Sequence, residues 1–162
     1  MSETLVLDEQ NTRADLTLQL SRTIKAERRR VFEAWTRPEL MSQWFAPGEM
    51  TVTSASADLR VGGSYKIDIN DPSAVGDDGK LGRKGGTEGI YRKIVPNELL
   101  SFTWQGNCGR NEETVVTVAF KDVEEGTEVT ITHEHFQTAE SMNRHQKGWD
   151  GCLANLVRFA EK

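Results

Sequence analysis

From Ala14 to Ile24 apolar positions alternate, with Leu16, Leu18 and Leu20 on one parity and Thr17, Gln19 and Ser21 on the other, which predicts a half-buried strand. The period then changes. Over Glu27 to Thr36, Val31, Phe32 and Trp35 fall at i, i+1 and i+4 behind the run Arg28-Arg29-Arg30, the apolar stripe of a short amphipathic helix. Thr36 and Glu39 have capping-box spacing and Pro38 suits a first turn, so a second short helix is expected from Pro38 to about Trp44. Its apolar members are Leu40, Met41, Trp44 and Phe45, and Pro47-Gly48 ends it. Short alternating runs follow at Thr51–Asp58, Ser64–Asn70, Gly86–Ile94, Leu99–Gln105, Glu113–Lys121 and Thr127–Phe136. Most are separated by compact hairpin signals such as Gly62-Gly63, Pro96-Asn97 and Glu125-Gly126. The exception is Asp71 to Gly86, where Gly76, Gly79, Gly82 and Gly85 recur among charged residues, expected to be a surface loop or a flap over a pocket. From about Ser141 the helical period returns, with Trp149, Leu153, Leu156 and Ala160 on one stripe. Gly148 and Gly151 each cost that helix about 1 kcal/mol relative to alanine, and close approach to the sheet or to a ligand would recover the cost.

The order strand, two short helices, six strands, one long helix predicts an α+β domain. A curved antiparallel sheet of about seven strands would bury its apolar face against the carboxy-terminal helix. Such a sheet describes a wider arc than one helix can fill, and the gap between them suits an apolar small molecule. Residues 1–13 have no period and read as a tail or edge segment, and residues 14–162 as a single domain. The exposed edge near Leu16 is where two copies could pair, so the chain is expected as a monomer or a homodimer.

Composition narrows the partners. A chain of 162 residues needs no disulfide framework, and two cysteines, Cys108 and Cys152, suit a reducing compartment. With 20 Lys+Arg against 25 Asp+Glu, a net charge of -5, there is no basic stripe for nucleic acid and no polybasic membrane anchor. No window approaches a membrane span and the amino terminus lacks a signal-peptide pattern, so the expected location is the cytoplasm.

Several stretches together resemble a known family. These are Val31-Phe32-Glu33-Ala34-Trp35-Thr36 running through Pro38 to Trp44, Val61-Gly62-Gly63-Ser64-Tyr65, and Gly89-Ile90-Tyr91 through Val95-Pro96-Asn97-Glu98-Leu99. The ending, Thr127 to Glu134 and Gly148-Trp149 with Leu153 and Leu156, also fits. They are similar to the activator of heat-shock-protein ATPase homologue family, within the START-like, helix-grip (SRPBCC) superfamily. The resemblance covers about Leu20 to Lys162 and implies the helix-grip fold with a ligand-sized cavity under the last helix. Lipid and hormone binders, polyketide cyclases and self-sacrificing resistance proteins share the superfamily, and the eponymous members stimulate a chaperone ATPase. The resemblance therefore does not select one reaction.

The candidate site is an aromatic and aliphatic lining. Trp44, Tyr65, Ile67, Ile69, Phe102, Trp104, Val116, Val118, Ile131, His133, Trp149 and Leu153 are expected to border a bound apolar or amphipathic molecule. Tyr65, Trp104 and Trp149 combine ring area with a polar end that can orient it. His133 and His135 should share a strand face with Val129 and Ile131, giving His133 two readings: a histidine satisfied at the end of the sheet, or a group that orients a ligand or acts as a base. Nothing in the spacing brings His145 near, so these histidines predict no metal site, and no cofactor is implied. No Gly-x-Ser-x-Gly elbow is present, and Cys152 falls on the buried stripe of its helix. Glu27 to Arg30 reads either as a solvated helix face or as a docking patch for an acidic partner. Three function classes follow: a carrier or sensor of a small hydrophobic molecule, an enzyme of the cyclase or hydrolase type using the same cavity, and a regulator of a heat-shock ATPase.

Overall fold

The alternation of apolar and polar residues is realised as seven strands and three helices in the computed structural model, which describes residues 16–46, 50–75, 81–106 and 113–162. In chain order these are β1 (Leu18–Ile24), α1 (Arg28–Thr36), α2 (Pro38–Met41), β2 (Thr51–Ala57), β3 (Ser64–Val75), β4 (Leu81–Val95), β5 (Leu99–Gly106), β6 (Glu113–Val123), β7 (Gly126–Glu134) and α3 (Ala139–Ala160). The expected tail, residues 1–13, lies outside the described residues, as do Cys108 and residues 76–80 at the centre of the glycine-rich run.

All seven strands form one curled antiparallel sheet in the order β1-β7-β6-β5-β4-β3-β2. The meander from β2 to β7 is extended by β1, which pairs with β7 from Leu18↔His133 to Ile24↔Thr127. Register converts alternation into a continuous inner face. One row runs Leu18, His133, Val116, Phe102 and Tyr91 across five adjacent strands, and all five are buried. The next row runs Leu20, Ile131, Val118, Leu100 and Ile94. A one-residue slip in any strand would turn its apolar side chains to water, so burial itself fixes the pairing.

Helix α1 buries Val31, Phe32, Ala34, Trp35 and Thr36 against the sheet. The capping-box reading of Thr36 does not hold. Its hydroxyl donates back to Phe32 O at 3.1 Å, Arg37 occupies the N-cap of α2 without a side-chain cap, and α2 stops at Met41. Pro38 does take the first turn. At α3 the cap is real: Thr138 Oγ1 accepts from the Ser141 N–H at 3.1 Å, starting the helix two residues before the expected Ser141. Among the described residues no helix is long and apolar enough to cross a membrane.

Two further expectations change. The segment Asp71–Gly86 is not a plain loop, because β3 and β4 continue into it with Asp71↔Arg83 and Val75↔Leu81 paired across an irregularity. Glycine and charge are poor strand formers, but ladder pairing on an already formed β3–β4 hairpin extends outward regardless. The second change concerns Gly148, where a Cβ would meet nothing within 4 Å, so no close approach offsets its helix cost. Gly148→Ala is accordingly expected to raise stability by about 1 kcal/mol. Urea denaturation of the two proteins checks it, and a loss of stability would reveal a contact at this position.

Candidate functional site

The concave side holds two distinct environments. The first is a small cavity between the short helices and strands β3 to β5, lined by Trp35, Met41, Phe45, Tyr65, Ile67, Tyr91, Leu100 and Phe102, with a volume of about 10 Å³. That is near the lower limit for one water molecule and far below the roughly 300–1,000 Å³ of drug-sized pockets. The aromatic side chains fill the space that the curled sheet creates: Trp35 packs against Trp44 at 4.8 Å between ring centroids, Trp149 at 5.8 Å and Phe45 at 6.3 Å.

Among the fully buried polar side-chain atoms around this cavity, one stands without a partner. Tyr65 lies opposite Gly89 in the β3–β4 register and donates its hydroxyl to Thr103 O on β5 at 2.6 Å. Burial raises the Tyr65 hydroxyl far above its ordinary pKa and pushes that of Tyr91 up to about 12, so both rings stay protonated and neutral. Trp44 Nε1 donates to Ala34 O at 2.8 Å. Trp35 Nε1, in a side chain 2% exposed, has no partner, and among the described residues it is the one buried side-chain nitrogen or oxygen so placed. An orphaned buried donor costs about 1–3 kcal/mol, and an aromatic face is only a weak acceptor.

The second environment is a polar relay at the other end of the inner face. Trp149 Nε1 on α3 donates to His133 Nδ1 at 3.0 Å. Nδ1 must then be unprotonated, so Nε2 carries the hydrogen and donates to Thr114 Oγ1 at 2.6 Å. Thr114 passes its own hydrogen to Trp104 O at 3.1 Å. Each donor and acceptor in the chain Trp149, His133, Thr114, Trp104 is used once, in one direction. His133 has no exposed surface, and its pKa is lowered to about 2, first by burial and then by the neighbouring His145. Both ring nitrogens are committed and the ring is neutral, so this geometry favours the satisfied histidine over the base.

His145 is closer than its spacing suggests. Its ring lies 5.2 Å from that of His133 and 5.0 Å from that of Phe136, because α3 folds back across β7. His135, expected on the same face as His133, is exposed: its φ of 73° breaks the strand and turns the side chain outward. Among the described residues no group of three or more His, Cys, Asp or Glu side chains could hold a metal ion.

The twelve predicted lining residues therefore divide. Tyr65, Ile67 and Phe102 line the cavity. Trp44, Trp104, His133 and Trp149 belong to the packed aromatic cluster and relay, Val116, Val118, Ile131 and Leu153 are fully buried core, and Ile69 packs on its margin. The expected lining of twelve residues omits Trp35, Met41, Phe45, Tyr91 and Leu100, which complete the cavity wall. It also omits Asn155, whose side-chain amide donates to Ala46 O at 2.6 Å, while Cys152 Sγ donates to Phe45 O at 3.2 Å. Those two bonds tie the backbone that carries the Phe45 ring to α3. Burial pushes the Cys152 thiol up to about 12, so it serves as a donor here and not as a nucleophile. The arginine run is engaged within the chain: Arg28 faces Asp122 at 3.4 Å and Glu98 at 3.7 Å, Arg29 pairs with Glu33, and Arg30 donates to Lys162 O.

A family profile described as Activator of Hsp90 ATPase homolog 1-like protein matches residues 25–161. Comparison with curated proteins gave no match. Solved structures with the same fold include a protein from Chromobacterium violaceum, 24% identical with a TM-score of 0.78, covering 90% of this chain and 98% of that one. An uncharacterized protein from Rhizobium leguminosarum is 30% identical with a TM-score of 0.69, covering 90% and 93%. An AHSA1-like protein from Aeromonas hydrophila is 25% identical with a TM-score of 0.71, covering 90% and 92%.

Proposed function

The chain belongs to the family of Activator of Hsp90 ATPase homolog 1-like proteins, within the START-like SRPBCC superfamily, and from that premise we propose that it binds a small apolar or amphipathic molecule as a carrier or sensor. The observation that carries this reading is the apolar, aromatic-lined cavity on the concave face with an unpartnered indole donor in its wall. The closed cavity is the resting form, and ligand enters by displacing side chains that now fill it. Phe45 is the natural one to yield, since it stands on the turn after α2, where side-chain bonds from Cys152 and Asn155 on α3 hold the backbone of residues 44–46 and leave its ring free to turn. A neutral fluorophore such as N-phenylnaphthylamine should bind saturably with enhanced emission. Phe45→Leu, which shortens the side chain over the cavity while keeping it apolar, should bind several-fold tighter. Absence of saturable binding by both proteins would remove the reading.

The enzyme reading has less support, because the histidine nearest to such a role is neutral and doubly hydrogen-bonded. A chaperone-directed role is favoured by the family description alone. Stimulation of a heat-shock ATPase by the purified chain, lost on charge reversal at Arg28, Arg29 and Arg30, would establish it.

A further inference from the structure

Resting on the ligand-binding reading above, we infer that the ligand is an uncharged molecule bearing a hydrogen-bond acceptor, such as a ketone or ether oxygen within an apolar frame, and that Trp35 Nε1 is the donor that recognises it. Three indoles in the buried aromatic cluster can be compared directly. Trp44 donates to Ala34 O and Trp149 to His133 Nδ1, whereas Trp35, equally enclosed, donates to nothing. Trp35 is also the one of these three that borders the cavity. A native fold pairs nearly all its buried polar groups, and an exception at a cavity wall is what a site kept ready for a partner looks like. One water does not resolve it, since a buried water needs about two to four polar partners and the lining is dominated by Met41, Phe45, Ile67, Leu100 and Phe102.

The same lining sets the charge of the occupant. No lining side chain is ionised near neutral pH, so an anion or cation placed there would be desolvated without a counter-charge. The Tyr65 hydroxyl hydrogen is already given to Thr103 O, while Trp35 Nε1 is the fully buried side-chain donor of the lining that has no partner among the described residues.

The test uses two probes of nearly equal shape, the bicyclic ketone indanone and its hydrocarbon counterpart indane, with indane carboxylate as the charged member. Indanone should bind the intact protein about tenfold tighter than indane, and the carboxylate weakest of all. In Trp35→Phe, which keeps an aromatic ring and removes the donor, indanone and indane should bind alike. In the wild-type protein the Trp35 indole N–H resonance should move downfield with indanone and not with indane, a readout that needs no variant to fold. Equal binding of ketone and hydrocarbon by wild type, preference for the carboxylate, or an unmoved Trp35 resonance during saturable indanone binding would overturn the inference while leaving the ligand-binding reading standing. Failure of all three probes and of the fluorophore would remove both.

Discussion

His133→Ala is expected to destabilise the fold by about 3–5 kcal/mol, lowering the melting temperature by roughly 10 °C in a domain of this size. The substitution strips Trp149 Nε1 of its acceptor and Thr114 Oγ1 of its donor in a place water does not reach, and leaves a void where the ring stood. Because the relay acts as a unit, its parts should not add. With Trp149→Phe and Thr114→Val also in place, the added cost should be well below the sum of the three single effects, since apolar partners have nothing left to satisfy. Acid provides a second readout. The folded state keeps the His133 pKa at about 2, whereas an unfolded histidine binds its proton near 6.5. Between those values the unfolded chain holds more protons, so this contribution is complete above about pH 6.5 and is lost as pH falls below it, by up to about 1.4 kcal/mol per unit. Urea denaturation at pH 7, 6 and 5 should show that slope in the wild-type protein and a shallower one in His133→Ala. A variant within 1 kcal/mol of wild type, or parallel pH profiles, would mean that the relay is not a stabilising element.

Gly89→Ala should cost about 3 kcal/mol or more, although it adds a single methyl group to a strand. A Cβ at this position would overlap Thr103 O, a backbone atom that cannot swing aside. That oxygen accepts the Tyr65 hydroxyl, and Thr103 Oγ1 accepts the Ile90 N–H at 2.8 Å in place of a regular ladder bond. Gly89 thus leaves room for the Tyr65 ring to pass over β4 and reach β5. Forcing the strands apart would break the Tyr65 bond, so Tyr65→Phe should destabilise the wild-type protein by about 1 kcal/mol and the Gly89→Ala protein by almost nothing. Full additivity in chemical denaturation would show that the glycine does not serve this passage.

The strands were legible because period-two alternation is enforced by burial on one face, as in β7, where Val129, Ile131 and His133 alternate with half-buried partners. The long helix was legible for the same reason at its own period. Local capping was less so: Thr36 and Glu39 have the right spacing, but the Thr36 hydroxyl found the Phe32 carbonyl first. The site was legible in composition and not in placement. Alternation says that Tyr65, Phe102, Val116 and His133 face inward, and nothing in it says which inward residues meet across the gap. The void formed beside Trp35 and Phe45, while Trp104, His133 and Trp149 packed against one another. Thr114 and Asn155 carry no sequence signal for their roles, since each depends on which carbonyl or ring the fold delivers to it. The contact between His133 and His145 has the same origin, as the two are brought together only by the return of α3 over the sheet.

The central claim is that the cavity beside Trp35 receives a neutral apolar molecule in the protein's own setting. The most direct measurement is mass spectrometry of small molecules released on denaturing the chain purified from its native source, compared with a control protein carried through the same steps. The account predicts one uncharged compound with a carbonyl or ether oxygen, near one molecule per chain, and its retention should fall in Trp35→Phe. Release of nothing above the control, together with failure of the purified chain to take up hydrophobic fluorophores, would contradict it.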